Sequence, residues 1–400
     1  MLIAVIVAGF VLSLTASFAL TPIVARLAQR KQWIDTPDKA RSIHTQPTPR
    51  IGGVAIAGAF LVGLVYIALI PRLLPPELAH SIRLPSPLII AGALIMVLVG
   101  LYDDIKGMHF LPKFAFQIGV AIMMISGGFV IPEVFNPFTD GAVTLPHWFA
   151  ILLSVGWIVG AINAINLLDG MDGLASGVSV IVFGSLTAAY MVMGDWTNSA
   201  WVAAIVGALI GFLWYNFSPA QIFMGDSGSM FLGFLIAAYS IRGASRANSL
   251  LALLIPIIAM GLPVMDTGLA VVRRFIERRP LFHADRDHIH HRILRKLGFS
   301  HRNTVLVLYT ISVGFGVAAF LLAISDRTLG DNVFATLVLC ITALGIFALL
   351  KALGYLAVPR QRRAKPTTQA GGPESHDVSS NGNGVGESND GVRLRQPLDK

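Results

Sequence analysis

A single cysteine and a shortage of charge set the outer limits on this chain. Cys340 is the one cysteine in 400 residues, so an intramolecular disulfide and a cysteine-built zinc site are both excluded. It falls inside the last apolar run, where a small core or lipid-facing residue is expected. Charged residues make up 13% of the chain and hydrophobic residues 54%, with a mean hydropathy of +0.70. A soluble domain carries about a quarter charged residues, so that class is excluded. Acidic side chains are the scarcer sign, 22 against 30 basic, for a formal charge of +8. The basic residues lie between apolar runs, where anionic lipid headgroups account for them and no nucleic-acid partner is needed. No internal repeat is visible.

What the chain has in abundance is apolar runs of bilayer length. Eleven occur, at 2–24, 51–70, 86–102, 114–131, 148–166, 174–193, 199–217, 229–241, 250–271, 303–324 and 333–356. A helix of about 20 residues crosses the hydrocarbon core. The expectation is an all-α polytopic integral membrane protein with eleven spans. The first run has no basic region ahead of it and is long enough to cross, so it reads as a span and not as a cleaved signal. An odd number of spans puts the termini on opposite sides. The odd-numbered loops hold Arg26, Arg30, Lys31, Lys39, Arg41, Arg50, Lys106, Lys113 and nine basic residues from Arg273 to Arg302. The even-numbered loops hold Arg72, Arg83, Arg242, Arg246 and Arg327. The positive-inside rule then makes the odd loops cytoplasmic, with the N-terminus outside and the C-terminus inside. Residues 1–357 are expected to form one transmembrane domain. Residues 358–400, rich in Gly, Ser, Asn and Pro, read as a disordered cytoplasmic tail. Arg360, Arg362, Arg363 and Lys365 at its start suit lipid headgroups.

The few acids gather at span ends. Asp103 and Asp104 close the third span, and adjacent carboxylates raise each other's proton affinity unless a cation lies between them. The bland alternative is a solvated helix end, but acids there oppose the macrodipole. In the fifth loop Asn163, Asn166, Asp169 and Asp172 recur every third residue, a spacing that puts side chains on one helix face. Gly170 and Gly173 let the backbone turn, and Asn and Asp oxygens suit a hard cation such as magnesium; an ordinary turn is the alternative. The seventh loop, Phe223-Met224-Gly225-Asp226-Ser227-Gly228, precedes a span. Asp226 or Ser227 can cap that helix, whose free amides attract anions. Phe223 is either a base-stacking ring or an interface anchor.

The ninth loop carries His288-Ile289-His290-His291-Arg292, and five of the ten histidines lie between His283 and His301. Cationic and imidazole donors suit a diphosphate. Zinc is the sharp alternative, disfavoured by the missing cysteines, and a basic lipid-facing helix is the bland one. Arg50 is within reach of a phosphate, while Gly52 and Gly53 read as a packing pair. Asp266 is a lone acid in the ninth span, for which pairing with Arg273 or Arg274 and lining a cavity are both open. All four loops carry odd numbers. Basic-residue counting therefore gathers them on one side, although it took no account of Asp or His.

These four ordered motifs resemble the polyprenyl-phosphate N-acetylhexosamine-1-phosphate transferases, glycosyltransferase family 4, over roughly residues 1–357. The motifs are Tyr102-Asp103-Asp104, residues 163–173, residues 223–228 and residues 288–291. The His-Ile-His-His form resembles the branch that uses UDP-GlcNAc. The MurNAc-pentapeptide branch typically carries His-His-His-Phe-Glu there, whereas Arg292-Ile293 follows here. The resemblance implies transfer of GlcNAc-1-phosphate from UDP-GlcNAc to undecaprenyl or another polyprenyl phosphate, with release of UMP. This is the first step of cell-wall or surface polysaccharide assembly in a bacterial cytoplasmic membrane. It implies magnesium, with manganese as the alternative ion, held by Asp226 with Asn166 as co-ligand. Asp103 and Asp104 would handle the lipid phosphate, one of them as a base. Lys113 and Arg50 would contact phosphate, and Phe223 would stack on uracil. Asp169 and Asp172 would orient the nucleotide sugar or support the metal. Asn163, His288, His290 and His291 would bind the donor. A homodimer is compatible with the resemblance, and attack can be direct or pass through an aspartyl-phosphate.

Other readings stay in view. The same chemistry on a GalNAc or MurNAc-pentapeptide donor is the near alternative. An ion-coupled transporter is the alternative of a different class, but its acids would cluster near the midplane. A membrane metallohydrolase built on the histidines is a third.

Overall fold

The computed structural model describes residues 1–35, 47–135, 142–244, 251–276, 289–325 and 332–355. His288 and the expected tail at 358–400 lie outside the described residues. Helix α1 (Leu2–Arg30) leads to a two-residue strand β1 (Ile34–Asp35), paired antiparallel with β2 (Thr48–Pro49). Then come α2 (Gly52–Leu69), a 3-10 turn (Ile70–Leu73), the short α3 (Pro76–Ala79), α4 (Pro87–Lys106) and α5 (Phe110–Ser126). A hairpin of β3 (Glu133–Phe135) and β4 (Ala142–Thr144) precedes α6 (His147–Leu168), α7 (Leu174–Val192), α8 (Trp196–Asn216) and α9 (Gly225–Ala244). The remainder is α10 (Leu251–Ala259), α11 (Gly261–Ile276), α12 (Ile289–Leu297), α13 (His301–Ile324) and α14 (Asn332–Ala352).

The protein is an all-α polytopic membrane protein. Among the described residues, eight helices are long and apolar enough to cross a bilayer: α1, α2 with its 3-10 turn, α4, α6, α7, α8, α13 and α14. The other three expected spans are also helical, with different bounds. The fourth is α5, only 17 residues long and starting at Phe110. The eighth is α9, which begins earlier than its apolar run, at Gly225. The ninth is not one helix: it breaks at Met260 into α10 and α11. Pro256 and Pro263 flank that break and donate no backbone N–H, so the ladder is weakened on both sides. The two small strand pairs were not foreseen either.

Helix α9 is the axis of the bundle. Its side chains Met230, Phe231, Phe234, Leu235 and Ile236 are buried, and α4, α6, α2 and α10 pack around it. Helices α7 and α8 form a second buried pair, flanked by α13 and α1. Burial falls from 83% of the apolar stretch of α8 to 11% of that of α14. Helix α14 is therefore peripheral, and its exposed Leu337, Ile341, Leu344 and Phe347 suit lipid and not water. Cys340 is exposed on the same helix.

Helix α1 lies close against α8 because small residues meet there. A Cβ at Gly207 would lie 2.1 Å from the Phe10 carbonyl oxygen, and Gly207 and Gly211 are one turn apart. Such spacing is a common device for close helix approach in membranes. Gly207→Ala should therefore overpack the contact and destabilise the protein by about 1–3 kcal/mol, read as a lower melting midpoint in detergent. Gly156→Ala, where an added Cβ meets nothing within 4 Å, should leave the midpoint unchanged. Equal effects of the two substitutions would contradict the α1–α8 packing.

Candidate active site

The site begins with a capping contact between two helices. Asp104, in the last turn of α4, accepts the backbone N–H of Asp226 at 2.7 Å and that of Ser227 at 3.0 Å. These amides open α9 and have no partner within their own helix. The Asp104 side chain has no exposed surface. At its own helix C-terminus the carboxylate opposes the α4 dipole, but it sits on the positive end of the α9 dipole. Charge-assisted bonds of this kind contribute roughly 1.5–3 kcal/mol each. The expectation that Asp226 or Ser227 caps α9 is corrected here: the cap comes from α4, because the chain enters α9 through Gly225 at φ +71°. A Cβ at Gly225 would lie 2.0 Å from the Arg50 carbonyl oxygen.

The start of α2 is held to the same point. Phe223 donates its N–H to the Pro49 carbonyl at 2.8 Å. Gly52 and Gly53 donate theirs to the carbonyls of Phe223 and Met224 at 2.9 and 2.8 Å. A Cβ at Gly53 would lie 2.1 Å from the Gly228 nitrogen, so the glycine pair is a packing pair as expected. This arrangement brings the Arg50 guanidinium within 3.6 Å of Asp104 and 3.5 Å of Asp226.

Asp226 gathers the remaining groups. Its second carboxylate oxygen takes the Lys113 ammonium from α5, and Lys113 also bonds Asp103. The other Asp103 oxygen accepts the Met108 N–H at 2.5 Å, which fixes the α4–α5 turn. Asn166 of α6 donates its side-chain N–H to Asp226 at 3.1 Å and to Ser229 at 2.9 Å. Two carboxylates thus converge on one cationic nitrogen, and an amide joins them through Asp226. Among the described residues no trio of Asp, Glu, His or Cys side chains is placed to hold a metal ion. A pair of carboxylates with an amide is nonetheless a donor set that fits magnesium, which retains waters and takes substrate phosphates as further ligands.

The 163–173 segment departs from its expected single face. Helix α6 stops at Leu168, so only Asn163 and Asn166 share it; Asp169 is the C-cap residue and Asp172 lies in the turn beyond. Gly173, at φ +75°, completes that turn. Asn163 points to α5 instead of the acid cluster, donating to Gln117 at 2.6 Å and to the Val159 carbonyl at 2.8 Å. Asp172 accepts the Ala220 N–H at 3.1 Å and so ties this turn to the segment before α9. Asp169 is held near both acids. Burial first, then the charges of Asp226 and Asp104, push its carboxyl up to about 7, with Arg50 pulling the other way.

The histidines arrive from α12. His290 is buried, and its Nε2 lies 3.5 Å from where a Cβ on Gly170 would stand, next to Asp169. The His291 ring is 4.2 Å from that of His290. Asp266 is buried on α11 and accepts the Ile289 N–H at 2.7 Å, at the start of α12. Sequence reasoning missed Gln117 and Ser229. Gln117 had a signal, a lone amide in an apolar run four residues after Lys113, on the same helix face.

An all-helical membrane bundle with carboxylates, an amide and a lysine gathered at one end is the class that fold and site define. A family model described as glycosyl transferase family 4 matches residues 86–244. The chain is 37% identical over 336 residues to a Bacillus subtilis protein named probable undecaprenyl-phosphate N-acetylglucosaminyl 1-phosphate transferase, spanning 84% of this chain and 89% of that one. It is 35% identical over 332 residues to the decaprenyl-phosphate N-acetylglucosaminephosphotransferase of Mycobacterium tuberculosis, spanning 78% and 80%. It is 29% identical over 327 residues to a phospho-N-acetylmuramoyl-pentapeptide-transferase of Staphylococcus aureus, spanning 76% and 95%. The chain belongs to glycosyl transferase family 4.

The raised Asp169 carboxyl gives a stability prediction. Its folded value of about 7 exceeds the ordinary 3.8, so the folded protein binds this proton more tightly than the unfolded chain. Stability from this group is full at low pH and is lost as pH rises from about 4 to about 7. Asp169→Asn removes the loss. In EDTA its melting midpoint should gain on the wild type by more at pH 8 than at pH 5; an equal difference at both would contradict the burial of this charge.

Proposed function

We propose that the protein transfers N-acetylglucosamine 1-phosphate from UDP-GlcNAc to undecaprenyl phosphate at the cytoplasmic face of a bacterial membrane, releasing UMP. The observation that carries this reading is the meeting of Asp103, Asp226, Asn166 and Lys113 at one end of the bundle. Both substrates are anionic, and Lys113 and Arg50 are the cations on hand to receive them. The GlcNAc donor is supported by the higher identity to the two relatives named for that sugar than to the MurNAc-pentapeptide relative. The Arg292-Ile293 that follows the histidines supports it too. The cytoplasmic side is supported by the basic residues of the odd-numbered loops.

In the reaction a lipid phosphate oxygen forms a bond to the β-phosphorus of the donor. The bond from that phosphorus to the bridging oxygen breaks, and its electron pair leaves with UMP. A phosphate monoester has its second pKa near 6, roughly, so the nucleophile is already ionised and no base is required. The protein's part is to position groups and to offset charge. Asp226, Asn166 and Asp103 are the residues that would hold magnesium, or manganese in its place. Bound there, the ion would neutralise the diphosphate and stabilise the charge that develops on UMP.

Asp104 acts through Asp226, as a positioning residue, because its oxygens are taken by the α9 amides. That replaces the lipid-phosphate contact expected from its motif. Asn163 likewise positions α6 against α5 through Gln117. Lys113 spans the two acids and offers its charge to the phosphates. Phe223, half-buried with its backbone held at the start of α2, would stack on the uracil. His290 and His291, beside the Asp169 turn, receive the sugar diphosphate.

The test is UMP release by purified protein from UDP-GlcNAc, with and without undecaprenyl phosphate and magnesium. Release is expected only when both are present. Release from another UDP-hexosamine alone would move the sugar assignment, and silence with every UDP-sugar would sink the transferase reading. Asp226→Asn should lower kcat by roughly 10²–10³-fold with folding intact, while Lys113→Ala should raise KM and keep the metal dependence. Wild-type turnover in Asp226→Asn would refute the site.

A further inference from the structure

We propose that Tyr355, just beyond the end of α14, is a positioning residue that holds α12 in place for donor binding by stacking on Arg292. The inference rests on the reading of α12 as the helix that receives the sugar diphosphate. The described part of helix α12 has nine residues. A helix shorter than about 12 residues is marginal on its own, so its anchors decide where it sits. Besides its packing on α13, two polar anchors stand out among the described residues. At its start, Asp266 accepts the Ile289 N–H at 2.7 Å. Further along, the Arg292 guanidinium carbon lies 3.8 Å from the centre of the Tyr355 ring, and Arg292 Nη1 donates to the Leu353 carbonyl at 3.5 Å.

The Tyr355 side of this contact is itself fixed. The chain leaves α14 in a closed turn, with the Gly354 N–H on the Lys351 carbonyl at 3.0 Å and the Tyr355 N–H on the Leu350 carbonyl at 2.9 Å. Leu353 is buried, and Tyr355 is half-buried beside Arg292, Arg273 and Asp266. The two anchors bracket His290 and His291. Ile289 and Ile293 bury the same face of α12, and His290 is thereby set against Gly170. Among the described residues, helix α14 packs chiefly on α13, at the edge of the bundle. Its terminal turn is therefore the part that touches the chemistry, and it does so through Arg292.

The experiment measures kcat and the KM of each substrate for the wild type, Tyr355→Leu, Tyr355→Phe, Arg292→Leu and the double Leu variant. A cation held over a partly desolvated ring implies a change of about tenfold. Tyr355→Leu and Arg292→Leu should each raise the UDP-GlcNAc KM about tenfold and leave the lipid KM near wild type. Tyr355→Phe keeps the ring but loses the hydroxyl that faces Arg273, so it should be impaired less than Tyr355→Leu. The double variant should be no worse than the worse single. Multiplying effects, or a Phe variant as impaired as Leu, would overturn the stack. Should Tyr355→Leu fail to fold, Arg292→Gln carries the same expectation and the same refutation.

Hydrogen exchange over residues 289–297 reads the positioning without turnover. Tyr355→Leu should speed exchange there, and unchanged exchange overturns the inference whether or not the protein transfers sugar. A wild type that releases no UMP while Tyr355→Leu loosens α12 would instead count against the proposed function alone.

Discussion

The carboxylate of Asp104 on the first amides of α9 is the contact that the rest of the site depends on. It joins two groups that are each unfavourable alone. An acid at the end of α4 faces the negative pole of its own helix, and the amides that open α9 lack partners in theirs. Brought together with no exposed surface on the acid, each satisfies the other. The contact sets the rotation of α9, and with it the direction in which Asp226 projects. Arg50 then bridges both acids from the start of α2, Lys113 bridges Asp226 and Asp103 from α5, and Asn166 reaches Asp226 from α6. Side chains from four other segments thus meet at Asp226.

That geometry explains why charge is so scarce elsewhere. Ionised groups inside a bilayer are costly unless they are paired or serve a reaction. Three acids share Lys113 and Arg50 at one end of the bundle. Asp266, the acid on α11, is buried against the start of α12, where it accepts an amide. The protein keeps its acids where amides and cations can take them, and leaves the lipid-facing helices such as α14 apolar.

Much of this was legible in the residues. Hydropathy runs found the helices because lipid imposes a minimum apolar length. The four polar motifs pointed to one end of the bundle because basic residues mark one side of a membrane independently of the acids. The parts that stayed hidden are those set by distant partners. Nothing near Asp104 in the chain reveals that its acceptors serve amides at 226 and 227. A three-residue spacing in 163–173 could not reveal that α6 stops at Leu168, because Asp169 and Asp172 are compatible with both helix and turn. The broken ninth span was hidden for a similar reason. Its prolines, Pro256 and Pro263, are tolerated in membrane helices and do not by themselves mark a break. Tyr355 had no local signal at all; its meaning comes from Arg292, brought to it by the fold.

The most direct measurement is hydrogen exchange across the start of α9 in wild type and Asp104→Ala, in detergent and without substrates. If the Asp104 carboxylate holds the amides of Asp226 and Ser227, exchange should quicken in peptides covering 223–229 and stay unchanged in the middle of α9. Asp104→Asn, which keeps one acceptor oxygen, should fall between the two. Unaltered protection of those amides in Asp104→Ala would contradict the account at its centre.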